Sequence, residues 1–100
     1  MLKTEELPVP TIFRIGSYII YFWTNDGEPR EPVHVHVAVG QPAANATKLW
    51  ITSEGKVIVC NNNSRIPEAG LRRLIDDIER DSDVIIKEWR KRFGEITYFC

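Results

Sequence analysis

Valines recur at every second position between residues 33 and 39, and both histidines of the chain stand between them in Pro32-Val33-His34-Val35-His36. Side chains of a β-strand alternate between its two faces, so this pattern predicts a strand whose valines face the core. The imidazoles of His34 and His36 then project together from the opposite face, about 6.6 Å apart along the strand. We expect that face to be an accessible surface carrying two groups of the kind that titrate near neutral pH.

Short runs of β-branched and aromatic residues predict four further strands. They cover 11–14, 18–23, 47–52 and 56–60,. The last two are separated only by a turn at Glu54-Gly55, which is the spacing of a tight antiparallel hairpin,. Because both faces of the 18–23 run are apolar, we expect part of the sheet to be covered on both sides.

Apolar residues then recur at helical spacing from Pro67-Glu68 to Phe93, and Gly94 is a natural stop,. The polar triplet Asp81-Ser82-Asp83 interrupts the stripe, and we expect the helix to continue through it,. The sequence therefore predicts an α+β fold, in which an antiparallel sheet of about four to five strands packs against one long C-terminal helix. The residues of the apolar stripe are Leu71, Leu74, Ile75, Ile78, Ile85, Ile86, Trp89 and Phe93.

A length of 100 residues fits a single α+β domain over 11–100, preceded by a flexible lead-in over 1–10,. The formal net charge of −1 argues against the broad positive field of a duplex-DNA binder,. Cys60 and Cys100 are too far apart in sequence to suggest a disulfide framework,. The acidic start and the lack of a long apolar run predict a cytoplasmic protein that does not associate with membranes.

The histidine pair suits acid–base chemistry on a phosphodiester. One imidazole would take a proton from a ribose hydroxyl while the other protonates the leaving oxygen. Arg14 or Lys48, on neighbouring strands, would neutralise the charge of the transition state. Arg90 and Lys91, within the basic run 87–92, are candidates for RNA contact, although they also complement the negative end of the helix,. Such a ribonuclease would need neither metal nor cofactor.

Two other interpretations stay open. A His-x-His strand offers two ligands of a metal site, and Asp26, Glu28 and Glu31 are the nearest candidates for the others,. Alternatively, the histidine face and the strand edges dock a partner protein or a second copy of the chain without catalysis. The sequence contains no glycine-rich phosphate loop, dinucleotide fingerprint or G-x-S-x-G motif, which excludes several common enzyme classes,.

Four features taken together have the arrangement of a known family. They are Pro10-Thr11-Ile12-Phe13-Arg14-Ile15-Gly16, an aromatic strand ending in Asn25-Asp26-Gly27, Glu31-Pro32-Val33-His34-Val35-His36-Val37, and Trp89 near the end of the helix. With these residues the chain resembles, from Pro10 to Gly94, a small bacterial family, the domain-of-unknown-function family numbered 4160.

The resemblance implies a compact cytosolic α+β protein encoded beside a second small protein, and a toxin paired with a neutralising antitoxin. Arg14, Pro32, His34 and His36 match the family's pattern. We therefore expect the toxin component of a bacterial toxin–antitoxin module, whose partner is its cognate antitoxin and whose substrate, if it cleaves, is RNA. His34, His36 and Arg14 are the predicted catalytic residues, and Lys48, Pro32, Arg90 and Lys91 are the predicted binding residues.

Overall fold

The computed structural model describes residues 11–23 and 31–100, which form five strands followed by two helices. The strands make one sheet in the order β1-β2-β3-β4-β5, with every neighbouring pair antiparallel. The prediction of an antiparallel α+β fold is therefore confirmed. The elements are β1 Thr11–Ile15, β2 Tyr18–Tyr21, β3 His34–Val39, β4 Thr47–Ile51, β5 Val57–Asn61, α1 Glu68–Arg80 and α2 Ser82–Phe93.

The helical region differs from the prediction because it breaks at Asp81, whose φ of −109° and ψ of 25° end α1 and precede α2. Ser82 stands at the stripe position where a continuous helix needs an apolar side chain. Its Oγ faces the turn between β4 and β5, only 2.7 Å from where a Cβ on Gly55 would lie. Ser82 is thus in close contact with that turn at the point where the helix breaks.

One face of the sheet and the inner stripes of both helices form the main core. Val33, Val35 and Val37 are fully buried in this core, as the alternating pattern predicts. For Val39 the prediction is wrong, because this last residue of β3 is 59% exposed. The largest side chain here is Trp89 of α2, which is 1% exposed and packs edge-on against Phe22 at a centroid distance of 5.2 Å. The other buried members are Ile20, Leu49, Ile51, Ile66, Leu74, Ile78 and Ile85.

The opposite face of the sheet is also buried over its centre. Ile19 and Ala38, which are cross-strand partners, are each 2% exposed, and Tyr21 is fully buried. The expectation that the sheet is covered on both sides is therefore confirmed for β2 and β3. The predicted lead-in over 1–10 and the turn at Asn25-Asp26-Gly27 lie outside the described residues.

A polar network ties β4 to the loop that precedes α1. The hydroxyl of buried Thr47 donates a hydrogen bond to Asn62 Oδ1 at 2.7 Å and accepts one from the Ser64 amide at 3.1 Å. The Ser64 hydroxyl in turn donates to the Val37 carbonyl on β3 at 2.8 Å. Because buried polar groups are costly when unpaired, this network fixes the loop against the sheet.

Candidate functional site

His34 and His36 lie side by side on β3, and their ring centroids are 5.0 Å apart with perpendicular planes. The prediction that the two rings share a face is correct. The expectation of an accessible surface is wrong, because His34 is 1% exposed and His36 is 9% exposed. Aromatic side chains from β2, β4 and α2 surround the pair, so the imidazoles form part of a packed ring cluster.

His34 is held by its own backbone and by two indoles. Its Nδ1 lies 2.9 Å from the Pro32 carbonyl oxygen. A carbonyl can only accept, so Nδ1 carries the hydrogen of this bond. The ring contacts Trp50 at a centroid distance of 5.5 Å and Trp89 at 5.2 Å. The predicted binding residue Pro32 thus acts here through its carbonyl, by orienting His34.

His36 is positioned by the aromatic strand β2 and the residues after it. Its ring lies 5.6 Å from the Tyr21 ring and 6.2 Å from the Trp23 ring, between centroids. Tyr21 is itself fixed, because its hydroxyl donates to the Ala43 carbonyl and accepts from the Ala43 amide, both at 3.1 Å. The connection between β3 and β4 therefore supports the ring on which His36 rests.

Lys48 is the cation that the structure places at the histidines. It is the direct cross-strand partner of His36, and its Nζ lies 3.0 Å from Glu31 Oε1. The same carboxylate oxygen is 3.8 Å from His34 Nδ1, so Glu31 lies between the lysine and the second imidazole. Lys48 Nζ also lies 4.4 Å from the centroid of the Trp50 ring, which is a cation–π contact,.

Arg14, in contrast, is not brought to the histidines. It is exposed on edge strand β1 and aligns with Ile19 of β2, which aligns with Ala38 of β3. Two strand spacings, about 10 Å, therefore separate Arg14 sideways from the histidine strand. Of the two cations predicted to stabilise charge, Lys48 is the one in place.

The basic end of α2 lies near the same part of the sheet. Arg90 and Lys91 are exposed in the last turn, and they follow Trp89, whose ring contacts His34. The predicted RNA contacts therefore sit on an exposed turn directly after a residue of the ring cluster.

The segment after α2 contributes to the site in a way that the sequence patterns did not reveal. Glu95 accepts a hydrogen bond from Trp89 Nε1 at 3.2 Å through its carbonyl, and the Thr97 carbonyl accepts from the Val33 amide at 2.9 Å. Phe99 then stacks on Trp50, with centroids 5.0 Å apart and planes 3° from parallel. The residues after α2 have no hydrophobic periodicity, so the sequence did not predict that they pack against the sheet. Their aromatic side chains were the one indication of such packing.

The ligands for a metal site do not assemble from the residues that the structure describes. No group of three or more His, Cys, Asp or Glu side chains among them is placed to hold an ion. Glu31 is beside His34, but it is engaged by Lys48, and the neighbouring nitrogen Nδ1 is engaged by Pro32. The other two candidates, Asp26 and Glu28, lie outside the described residues.

A family model described as Domain of unknown function (DUF4160) matches residues 17–90. The chain belongs to the DUF4160 family. The match covers β2, β3, β4, β5, α1 and most of α2, so the DUF4160 region contains both histidines, Lys48 and Trp89. No curated protein and no solved structure matches this DUF4160 chain. Neither helix in the described ranges is long and apolar enough to cross a bilayer.

Proposed function

We propose that this DUF4160 protein is the toxin component of a bacterial toxin–antitoxin module, and that it cleaves RNA in the cytoplasm with His34 and His36 as the proton-transfer pair. One observation carries the chemical part of the proposal. Two imidazoles lie 5.0 Å apart on one face, and a lysine is in register with one of them. Acid–base cleavage of a phosphodiester needs this combination of a base, an acid and a cation.

In the proposed reaction, one imidazole removes the proton of a ribose 2′-hydroxyl, and that oxygen forms a new bond to the neighbouring phosphorus. The bond from phosphorus to the 5′ oxygen breaks, and the second imidazole gives its proton to the leaving oxygen. The products are a 2′,3′-cyclic phosphate and a free 5′-hydroxyl. Lys48 takes the place predicted for Arg14 and stabilises the negative charge that builds up on the phosphoryl oxygens.

Within this proposal, we give the two rings different roles according to their burial. His36 is the more exposed ring, at 9%, and so it is the one that the scissile phosphate reaches first. His34 is almost completely enclosed, and the Pro32 carbonyl holds its ring through Nδ1. The covered pair also means that RNA must move the groups over these rings before it reacts.

The cognate antitoxin is the proposed partner. We place its binding site at the edges of the sheet, where backbone groups of an edge strand can pair with a further strand. β1 and β5 are the outermost strands of the sheet. An extended antitoxin segment that pairs with either edge would add a strand to the sheet. Val59 is an exposed apolar side chain on β5 itself.

Induction of the gene in a bacterial host, with and without its genomic neighbour, tests the toxin assignment. The proposal predicts growth arrest from the gene alone and rescue by the neighbour. Harmless expression in both cases would count against a toxin. Replacement of either histidine by alanine tests the proposed chemistry separately from the toxin assignment. Full toxicity of these variants would show that the imidazoles are not part of the mechanism.

A non-enzymatic interaction domain is the second candidate, and the burial of both imidazoles favours it. Rings that are 1% and 9% exposed also suit a structural aromatic cluster that supports a docking surface. This alternative predicts a stoichiometric complex on co-expression with the partner, and no RNA cleavage by the free protein. If a second copy of the chain occupies the docking surface, the protein should be a dimer in solution.

A further inference from the structure

Phe99 is an aromatic side chain placed to receive a second ring. One face of its ring stacks on Trp50, yet the residue remains 55% exposed. Single-stranded nucleic acids bind proteins by stacking their bases on such exposed aromatic side chains, and the energy of that stacking is largely independent of base identity. Phe99 is thus the outer member of a stack that begins at the candidate active site.

The stack connects directly to the histidines. Trp50 is the cross-strand partner of His34, and its ring contacts the His34 ring edge-on at 5.5 Å. Phe99 is therefore two ring contacts away from His34. An RNA strand with one base on Phe99 would therefore also pass near the imidazoles.

A cavity of about 260 Å³ is lined by Cys100, the residue that follows Phe99, and by both polar and apolar groups. Ile58, the cross-strand partner of Trp50, lines it together with the exposed residues Glu54 and Lys56. The Lys56 ammonium is suited to a phosphate, and the Glu54 carboxylate is an acceptor for the amino group of a base. The remaining lining residues are Thr52, Ser53 and Cys100.

We propose that Phe99, with the adjoining cavity, is a binding site for one unpaired nucleobase of single-stranded RNA. The inference rests on the proposed ribonuclease function, because it names the substrate as single-stranded and places one of its bases. Phe99 acts by stacking and Lys56 by attracting the backbone. Duplex RNA is a poor ligand in this account because its bases are already stacked and their faces are covered.

Fluorescein-labelled 2′-O-methyl hexaribonucleotides measure binding without cleavage, because they lack the 2′-hydroxyl that attacks phosphorus. We expect Phe99→Ala to weaken binding at least about tenfold and Phe99→Tyr to retain it, since tyrosine keeps the aromatic face. Phe99→Leu keeps an apolar side chain without a ring and should behave like the alanine variant. Val84→Ala, which removes an exposed apolar side chain from α2, is the matched control and should bind normally.

Two further measurements sharpen the test. Lys56→Ala should reduce the slope of log Kd against log salt by about one, as expected for the loss of one phosphate contact. The duplex of the same strand with its full complement should bind more weakly than the single strand.

The proposal is overturned if the wild-type protein does not bind the single strand, if it binds the duplex equally, or if Phe99→Ala binds as well as the wild type. It is also overturned if Phe99→Ala abolishes the complex with the product of the neighbouring gene and leaves oligonucleotide binding intact, since the surface is then a protein interface. If the protein binds a natural oligonucleotide but does not cleave it, only the proposed ribonuclease function is contradicted. If it cleaves the oligonucleotide and Phe99→Ala has no effect on binding, only the proposed base-binding site is contradicted.

Discussion

The ring of His34 meets the ring of His36 edge-on, at a centroid distance of 5.0 Å and an interplanar angle of 90°. The alternation of side chains along β3 brings the two imidazoles to one face, and the bond from His34 Nδ1 to the Pro32 carbonyl fixes the orientation of the first ring,. The relationship therefore follows from a short piece of sequence. Its consequences for stability and chemistry can be tested one residue at a time.

Trp89→Ala should destabilise the fold by about 3–5 kcal/mol, the usual cost of emptying a large aromatic site in a core. Trp89 is 1% exposed and contacts Phe22 and His34, so the cavity lies between α2 and the sheet. Urea denaturation followed by circular dichroism measures the change. Val84→Ala, on the same helix but 40% exposed, should stay within about 0.5 kcal/mol of the wild type,. Equal stability of the two variants would contradict the packing of α2.

Gly55→Ala should cost more than Gly40→Ala, although both glycines have positive φ angles, 80° and 81°. A Cβ at Gly40 meets nothing within 4 Å, so only the left-handed backbone costs energy there, about 1 kcal/mol,. A Cβ at Gly55 would lie 2.7 Å from Ser82 Oγ, which adds about 1–2 kcal/mol of overpacking,. Adding Ser82→Ala should recover most of the extra cost. A comparison of the three variants with the wild type by thermal denaturation tests the contact at the helix break.

Thr47→Val should destabilise the protein by about 1–3 kcal/mol, even though it preserves the shape of the side chain. The substitution leaves Asn62 Oδ1 and the Ser64 amide without their hydroxyl partner in a buried place. Thr11→Val, on the exposed start of β1, is the matched control and should stay within about 0.5 kcal/mol of the wild type,. If both variants unfold at the same urea concentration, the network does not stabilise the loop.

Lys48→Met should affect cleavage far more than folding. The pair with Glu31 is partly exposed, at 21% for Lys48 and 38% for Glu31, so its loss should change stability by less than about 1 kcal/mol,. If Lys48 stabilises the phosphoryl charge as proposed, its loss should lower kcat about tenfold or more. Arg80→Met breaks the exposed pair with Asp77 on α1 and should leave both quantities unchanged. A kcat for Lys48→Met equal to that of the wild type would remove Lys48 from the reaction.

The strands were predictable from the sequence because period-two alternation of apolar residues, as in Val33 to Val37, leaves little choice of conformation or face. The covering of the histidine face was not predictable. It depends on which strands lie beside β3, and only the register places Tyr21 next to His36 and Trp50 next to His34. The choice between Arg14 and Lys48 as the nearby cation likewise required the order of the strands.

The break between α1 and α2 and the packing of the residues after Gly94 were likewise not predictable from local sequence patterns. Asp81-Ser82-Asp83 marked a weak point in the helical stripe, but the close approach of Ser82 to Gly55 is a contact between residues distant in sequence. The tail follows Gly94 without a periodic pattern, and its hydrogen bonds to Val33 and Ser53 depend on the finished sheet. Local patterns predict elements, whereas contacts distant in sequence decide how a site is enclosed.

The most direct test of the account is the cleavage rate of a single-stranded RNA by the purified protein and by its His36→Gln variant, measured in the presence of a chelator. Glutamine preserves much of the size of the ring and its hydrogen bonding but cannot transfer the proton, and a chelator should have no effect on metal-independent chemistry. The account predicts cleavage by the wild-type protein that leaves a 2′,3′-cyclic phosphate, and a loss of about 100-fold or more in a His36→Gln variant that remains folded. An inactive wild-type protein, or a His36→Gln variant that cleaves at the wild-type rate, would contradict it.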